Sequence, residues 1–126
     1  MIIIGHSWVP SPKFCKVFSV DEIKKSSPAD IILIEPLSDS QPLAKYCSEN
    51  NIAFAVTTNT LKEAIFSNAL GAKYIICEED DALIIHPIAQ EYLFDTRVLV
   101  LIHDDKEIAK IARSGIDGVI FPSAIH

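Results

Sequence analysis

Polar side chains in this chain gather directly behind apolar runs. His6 and Ser7 follow "IIIG", Ser19 follows "FCKVF", Glu35 follows "IILI", and Thr57 and Thr58 follow "IAFAV". Glu78 and Glu79 follow "YIIC", His103 and Asp104 follow "VLVLI", and Ser123 comes just after "GVIF". If the apolar runs are parallel strands, these residues share one rim, where loops meet helix N-termini and ligands bind. The densest chemistry is in "LIHDD", where the His103 imidazole stands beside two carboxylates that can hold one ring tautomer. His103, Asp104 and Glu35 are therefore the candidate catalytic set for acid–base or metal-assisted chemistry. His6, Thr57, Thr58, Glu78 and Ser123 are the candidate ligand-binding set. Simpler structural roles compete: Ser19, Thr60 and Asp104 fit helix caps, and "CEEDD" reads as a solvated acidic loop. Lys16 alternates with Phe14 and Phe18, which suits a lysine that faces a cavity or snorkels to a sheet edge.

Several functions are disfavoured by composition. The net charge of −6 and the absence of a basic run argue against nucleic acid and anionic membrane surfaces. Three cysteines without a CxxC pair argue against a disulfide framework or zinc site and fit a reducing cytoplasm. No GxGxxG, Walker or GxSxG motif occurs, and four glycines are few for a phosphate-cradling loop. No cofactor and no metal is expected. The start "MIIIGHSWVP" lacks the basic region of a signal peptide.

The elements that position the rim come from a repeated unit. "VFSVDEIKKSSPADIILIEP", "AVTTNTLKEAIFSNALGAKYIICEE" and "VLIHDDKEIAKIARSGIDGVIFPSA" each read as strand, helix, strand. Ser19 with Glu22, Thr60 with Glu63 and Asp104 with Glu107 have capping-box spacing, predicting reciprocal bonds at three helix starts. Pro28, Gly71 and Gly115 mark the helix ends. The connectors "QPLAKYCSEN" and "HPIAQEYLFD" predict further helices with proline in the first turn, and His86 a loop or cap position. Continuous apolar strands indicate a parallel sheet buried on both faces. Residues 1–126 are thus expected to form a single α/β domain, an incomplete (βα)8-type barrel, with a flavodoxin-like doubly wound open sheet as the alternative.

The order of segments from Phe14 to Ser123 resembles the 2-keto-3-deoxy-6-phosphogluconate aldolase family, a class I aldolase barrel. "NTLKEAIFSNALGAKYIICEE" is similar to that family's helix and strand with a "G-A-x-(aromatic)-I-V" run, and "TRVLVLIHDDKEIAKIARSGIDGVIFPSA" to its stretch ending in "V-K-L-F-P-A". The resemblance implies a barrel cut after about six strands. It does not bring the chemistry. Val119 stands where the family's Schiff-base lysine is expected, Ile32 where its glutamate is, and Pro36 where a substrate-binding arginine is. Imine formation needs an amine, and valine has none.

The expected function is therefore non-catalytic: assembly, or binding of a small-molecule ligand at the strand C-terminal rim. The alternatives are an enzyme using His103 and nearby carboxylates, and a flavodoxin-like docking module. Six strands leave an open edge and apolar surface, so a homo-oligomer, most simply a dimer, is expected. "IIIG" is expected beside the first repeat strand, Trp8 at the open barrel end or an interface, and His126 mobile.

Overall fold

The computed structural model describes residues 1–126. The apolar runs form seven strands: β1 (Ile2–Ile4), β2 (Phe14–Lys16), β3 (Ile31–Ile34), β4 (Phe54–Thr57), β5 (Tyr74–Cys77), β6 (Arg97–Leu101) and β7 (Gly118–Ile120). Five helices connect them: α1 (Val20–Lys25), α2 (Leu37–Glu49), α3 (Leu61–Ala69), α4 (Glu79–Glu91) and α5 (Ile108–Arg113). Every strand pair is parallel, in the order β1-β7-β6-β5-β4-β3-β2. From β2 to β7 spatial order follows chain order, without the reversal that defines a doubly wound sheet. The sheet curls through 225°. The fold is an incomplete (βα)8-type barrel.

Strand alternation sorts the core into an inside and an outside. Phe14, Leu33, Ala55, Tyr74, Ile76, Leu99, Ile120 and Ile4 pack together in the hollow of the curled sheet. The Phe14 and Tyr74 rings fill it, with centroids 5.7 Å apart. The intervening residues face the helices. Ile32, Ile34, Phe54 and Val56 pack with Leu43, Ala44 and Cys47 of α2. Ile75, Val98, Val100 and Val119 pack with Ile85, Ala89 and Ile111 of α4 and α5. Ile32 and Val119, the positions that the aldolase resemblance equates with catalytic residues, thus point away from the hollow. Their inward neighbours are Leu33 and Ile120, equally without an amine or a carboxylate.

Several expectations are corrected. β1 pairs with β7, not with β2. Gly118 permits this, because a Cβ there would lie 2.4 Å from the Ile2 carbonyl oxygen. The free edge of β2 is met instead by the end of the chain. The His126 N–H donates to the Phe14 carbonyl at 2.8 Å and the Lys16 N–H donates to the His126 carbonyl at 3.0 Å, so His126 is held rather than loose. Trp8 does not plug the barrel end: it is 86% exposed and meets the His6 ring edge-on at 5.3 Å. Finally, "EDD" is the first turn of α4, where carboxylates suit the positive end of the helix dipole. Pro87 consequently lies inside that helix, and His86 is buried there between Gln90 and Asp117. The other connector helix is broken at Ser40, just before Pro42, as a proline in a first turn requires.

Candidate functional site

At the C-terminal ends of β3 to β6 lies a recess of about 720 Å³. Ile76 and Leu101, the last inward residues of β5 and β6, help line it, with Phe18 and Pro36 also on its walls. Glu35, Thr57, Thr58 and Glu78 all line it, together with Asn59, Glu63 and Asp81. Half of the eight residues singled out in the sequence are therefore gathered at one place by the ends of three adjacent strands.

Glu35 is the best-held group. It lies one residue past β3 and takes an ion pair from Lys16 Nζ at 2.9 Å. Burial alone would raise its carboxyl. The hydrogen bond from Lys16, that from the neighbouring Thr57 hydroxyl and the Lys16 charge outweigh it and hold the carboxyl below its ordinary range. Lys16 stands two residues beyond inward-facing Phe14, hence on the same face of β2. The Phe14–Lys16–Phe18 alternation was the signal for it, but only the β2–β3 pairing supplies the partner.

Thr58 is 3% exposed, and its Oγ1 is the one buried side-chain polar atom without a hydrogen-bond partner. Its backbone N–H is satisfied by the Ile76 carbonyl at 3.0 Å. An unpaired buried hydroxyl costs about 1–3 kcal/mol. Cys77, on the same wall, is inert as a nucleophile, since burial, with Asp81 and Glu78 adding to it, pushes its thiol up to about 12.

The remaining candidates lie elsewhere. His103 is exposed and its side chain makes no hydrogen bond; Asp104 accepts from the Lys106 N–H at 2.9 Å and so caps a helical turn. Neither bonds Glu35. His6, after β1, meets Asp105 at 3.3 Å and accepts from the Trp8 N–H through Nδ1. In the neutral ring this leaves the proton on Nε2, facing the carboxylate. Ser123 donates to the Gly5 carbonyl at 2.9 Å, tying the chain end to the β1 loop. No group of three or more His, Cys, Asp or Glu side chains is placed to hold a metal ion. No helix is long and apolar enough to cross a membrane. No family model and no curated protein matches the chain.

Proposed function

We propose that this chain is a small-ligand-binding protein built on an aldolase-like barrel framework, without catalysis of its own, using the recess beyond β3, β4 and β5. The observation that carries this reading is the recess itself, a concave place of about 720 Å³ where the ends of β3, β4 and β5 bring polar Glu35, Thr57 and Glu78 against apolar Phe18, Ile76 and Leu101. Glu35 and Thr57 there are fixed in advance by Lys16, as a selective binding site requires. The enzymatic reading through His103, Asp104 and Glu35 has less support, because His103 is exposed and the first and last of these have separate surroundings. His6 and Ser123 extend the polar rim on the β1 side and serve to anchor the chain end. The unpaired thiols of Cys15, Cys47 and Cys77 favour the cytoplasm. The working form proposed is a homodimer.

The test is an NMR titration of isotopically labelled protein with three four-carbon probes: butylammonium, 1-butanol and butyrate. Saturable shifts confined to the amides of Thr57, Thr58, Asn59 and Glu78 with at least one probe are expected. Absence of such shifts with all three refutes the reading.

A further inference from the structure

On the outer wall of the barrel, α2 and α3 lie side by side but are poorly matched. Neighbouring helices close on one another by interdigitating apolar side chains. α3 offers an apolar stripe, Phe66 with Leu70 one turn on and Ala69 next to them. From α2 it meets Ser38, Gln41 and Lys45, with Leu37 as the sole apolar side chain. The break of α2 at Ser40 falls within this stretch. A groove of about 670 Å³ is left between the two helices, and Phe66 on its wall stays 54% exposed.

The charge of this groove runs against that of the molecule. The chain carries a net −6, yet Lys45 of α2 and Lys62 of α3 both line the groove. Neither ammonium has a carboxylate within ion-pair distance. One acidic residue, Glu63, lines it as well, so two ammoniums stand against one carboxylate. α2 and α3 each follow a strand of the same parallel pair, β3 and β4, and so begin at the same end of the groove. The positive ends of their dipoles add to the lysines.

We infer that the groove between α2 and α3 is a second binding site, for a small amphiphile with an anionic head: an aliphatic carboxylate of medium length. It shares only Glu63 with the recess beyond β3, β4 and β5 and does not rest on the binding proposed there. The aliphatic tail covers Phe66, Ala69 and Leu70, the surface that α2 leaves bare, and Lys45 and Lys62 balance the carboxylate. A neutral amphiphile gains the apolar contact alone, and a cationic one meets two unpaired ammoniums. The groove has the volume of a small-molecule site. Its lining of ten residues is too small for a partner protein, since stable protein interfaces use about 20–30 residues a side.

The test is an NMR titration of isotopically labelled protein with octanoate, 1-octanol and octylammonium, each kept below its micelle concentration. Saturable shifts of the Gln41, Lys45, Phe66 and Ala69 amides are expected, with octanoate at least threefold tighter than 1-octanol and octylammonium weakest. Lys45→Gln combined with Lys62→Gln should abolish the preference for octanoate and leave 1-octanol unchanged. Glu63→Gln, which keeps the backbone bond to Thr60, should tighten octanoate. Phe66→Ala should weaken octanoate and 1-octanol alike. Octanoate that leaves the groove amides unmoved, or that binds no more tightly than the other two, overturns the inference. A preference that survives the loss of both lysines overturns it too. Octanoate shifts confined to Thr57, Thr58, Asn59 and Glu78 overturn it in favour of the recess, whereas failure of the four-carbon probes at the recess leaves it standing.

Discussion

At the scale of single residues, Glu35 shows how position changes a carboxylate. In the folded chain it binds its proton less readily than in the unfolded chain, so it adds stability above the ordinary glutamate range. That contribution is lost as pH falls through its lowered folded value. Lys16→Met removes the ammonium and leaves the burial. The carboxyl should then titrate above its ordinary value, read by carbon NMR of the side chain. Stability at neutral pH should fall by only about 0.5–1 kcal/mol, because both groups are partly exposed to water. The difference between the two proteins should close in acid, once Glu35 is protonated in both. Thr58 makes the opposite prediction. Thr58→Val deletes an unpaired buried hydroxyl at nearly constant shape, so unfolding free energy should rise by about 1 kcal/mol in chemical denaturation. A variant that loses stability would mean that the hydroxyl has a structural partner. The sequence marks Glu35, Thr57, Thr58 and Glu78 by their place after apolar runs. It marks Lys16 as a lysine that faces a cavity or snorkels, but not its partner Glu35, which depends on which strand lies next.

At the scale of elements, local rules read from the chain succeed where each concerns only neighbouring residues. Gly71 and Gly115 end helices at φ of 87° and 76°, and Ser19 and Thr60 accept the N–H bonds that their spacing implies. They fall short where a long-range contact decides. Nothing within "IIIG" says that its partner is β7, because the decisive residue is Gly118, remote in the chain. Gly118→Ala should force β1 off β7, since the new methyl would meet both the Ile2 carbonyl oxygen at 2.4 Å and Leu99 Cδ2 at 2.9 Å. A loss of roughly 3 kcal/mol is expected, a fall in melting temperature on the order of 10 °C. The chain end behaves comparably. Ile125 packs against the inner core while His126 bonds β2. Ile125→Asp should release the pair, and the Lys16 amide should then exchange with solvent much faster, while the amides of β5 and β6 keep their protection. Equal acceleration throughout the sheet would mean that the end supports the whole barrel rather than one edge.

At the scale of the whole molecule, the curled sheet has two ends and they are treated differently. β2 is covered by the returning chain end, whereas β1 has no strand beyond it. Its outward Ile3 lies with Trp8, Val9 and Ile108 around a shallow hollow of about 320 Å³. In a complete barrel a further strand and helix would cover this flank. The repeat pattern conveyed that the barrel is incomplete, because repeats are local and count themselves. How the two edges are finished depends on the three-dimensional path of "GHSWVPSPK" and "FPSAIH", which have no periodicity to read. An uncovered edge beside an exposed indole is the kind of surface that a two-fold contact closes, each copy offering the same patch to the other. Sedimentation at micromolar concentration should therefore report a dimer. Trp8 is the only tryptophan, so its emission should shift to shorter wavelength as concentration rises through the dissociation constant. Anchoring tryptophans at interfaces contribute about 2 kcal/mol or more, so Trp8→Ala should weaken dimerisation by at least about 30-fold. Because Trp8 belongs neither to the inner core of the barrel nor to the recess, the variant should keep its melting temperature when measured as a monomer. A chain that sediments as a monomer with unshifted indole emission would leave the β1 flank bare in solution and remove the dimer from the proposed function, without touching the recess beyond β3 to β5.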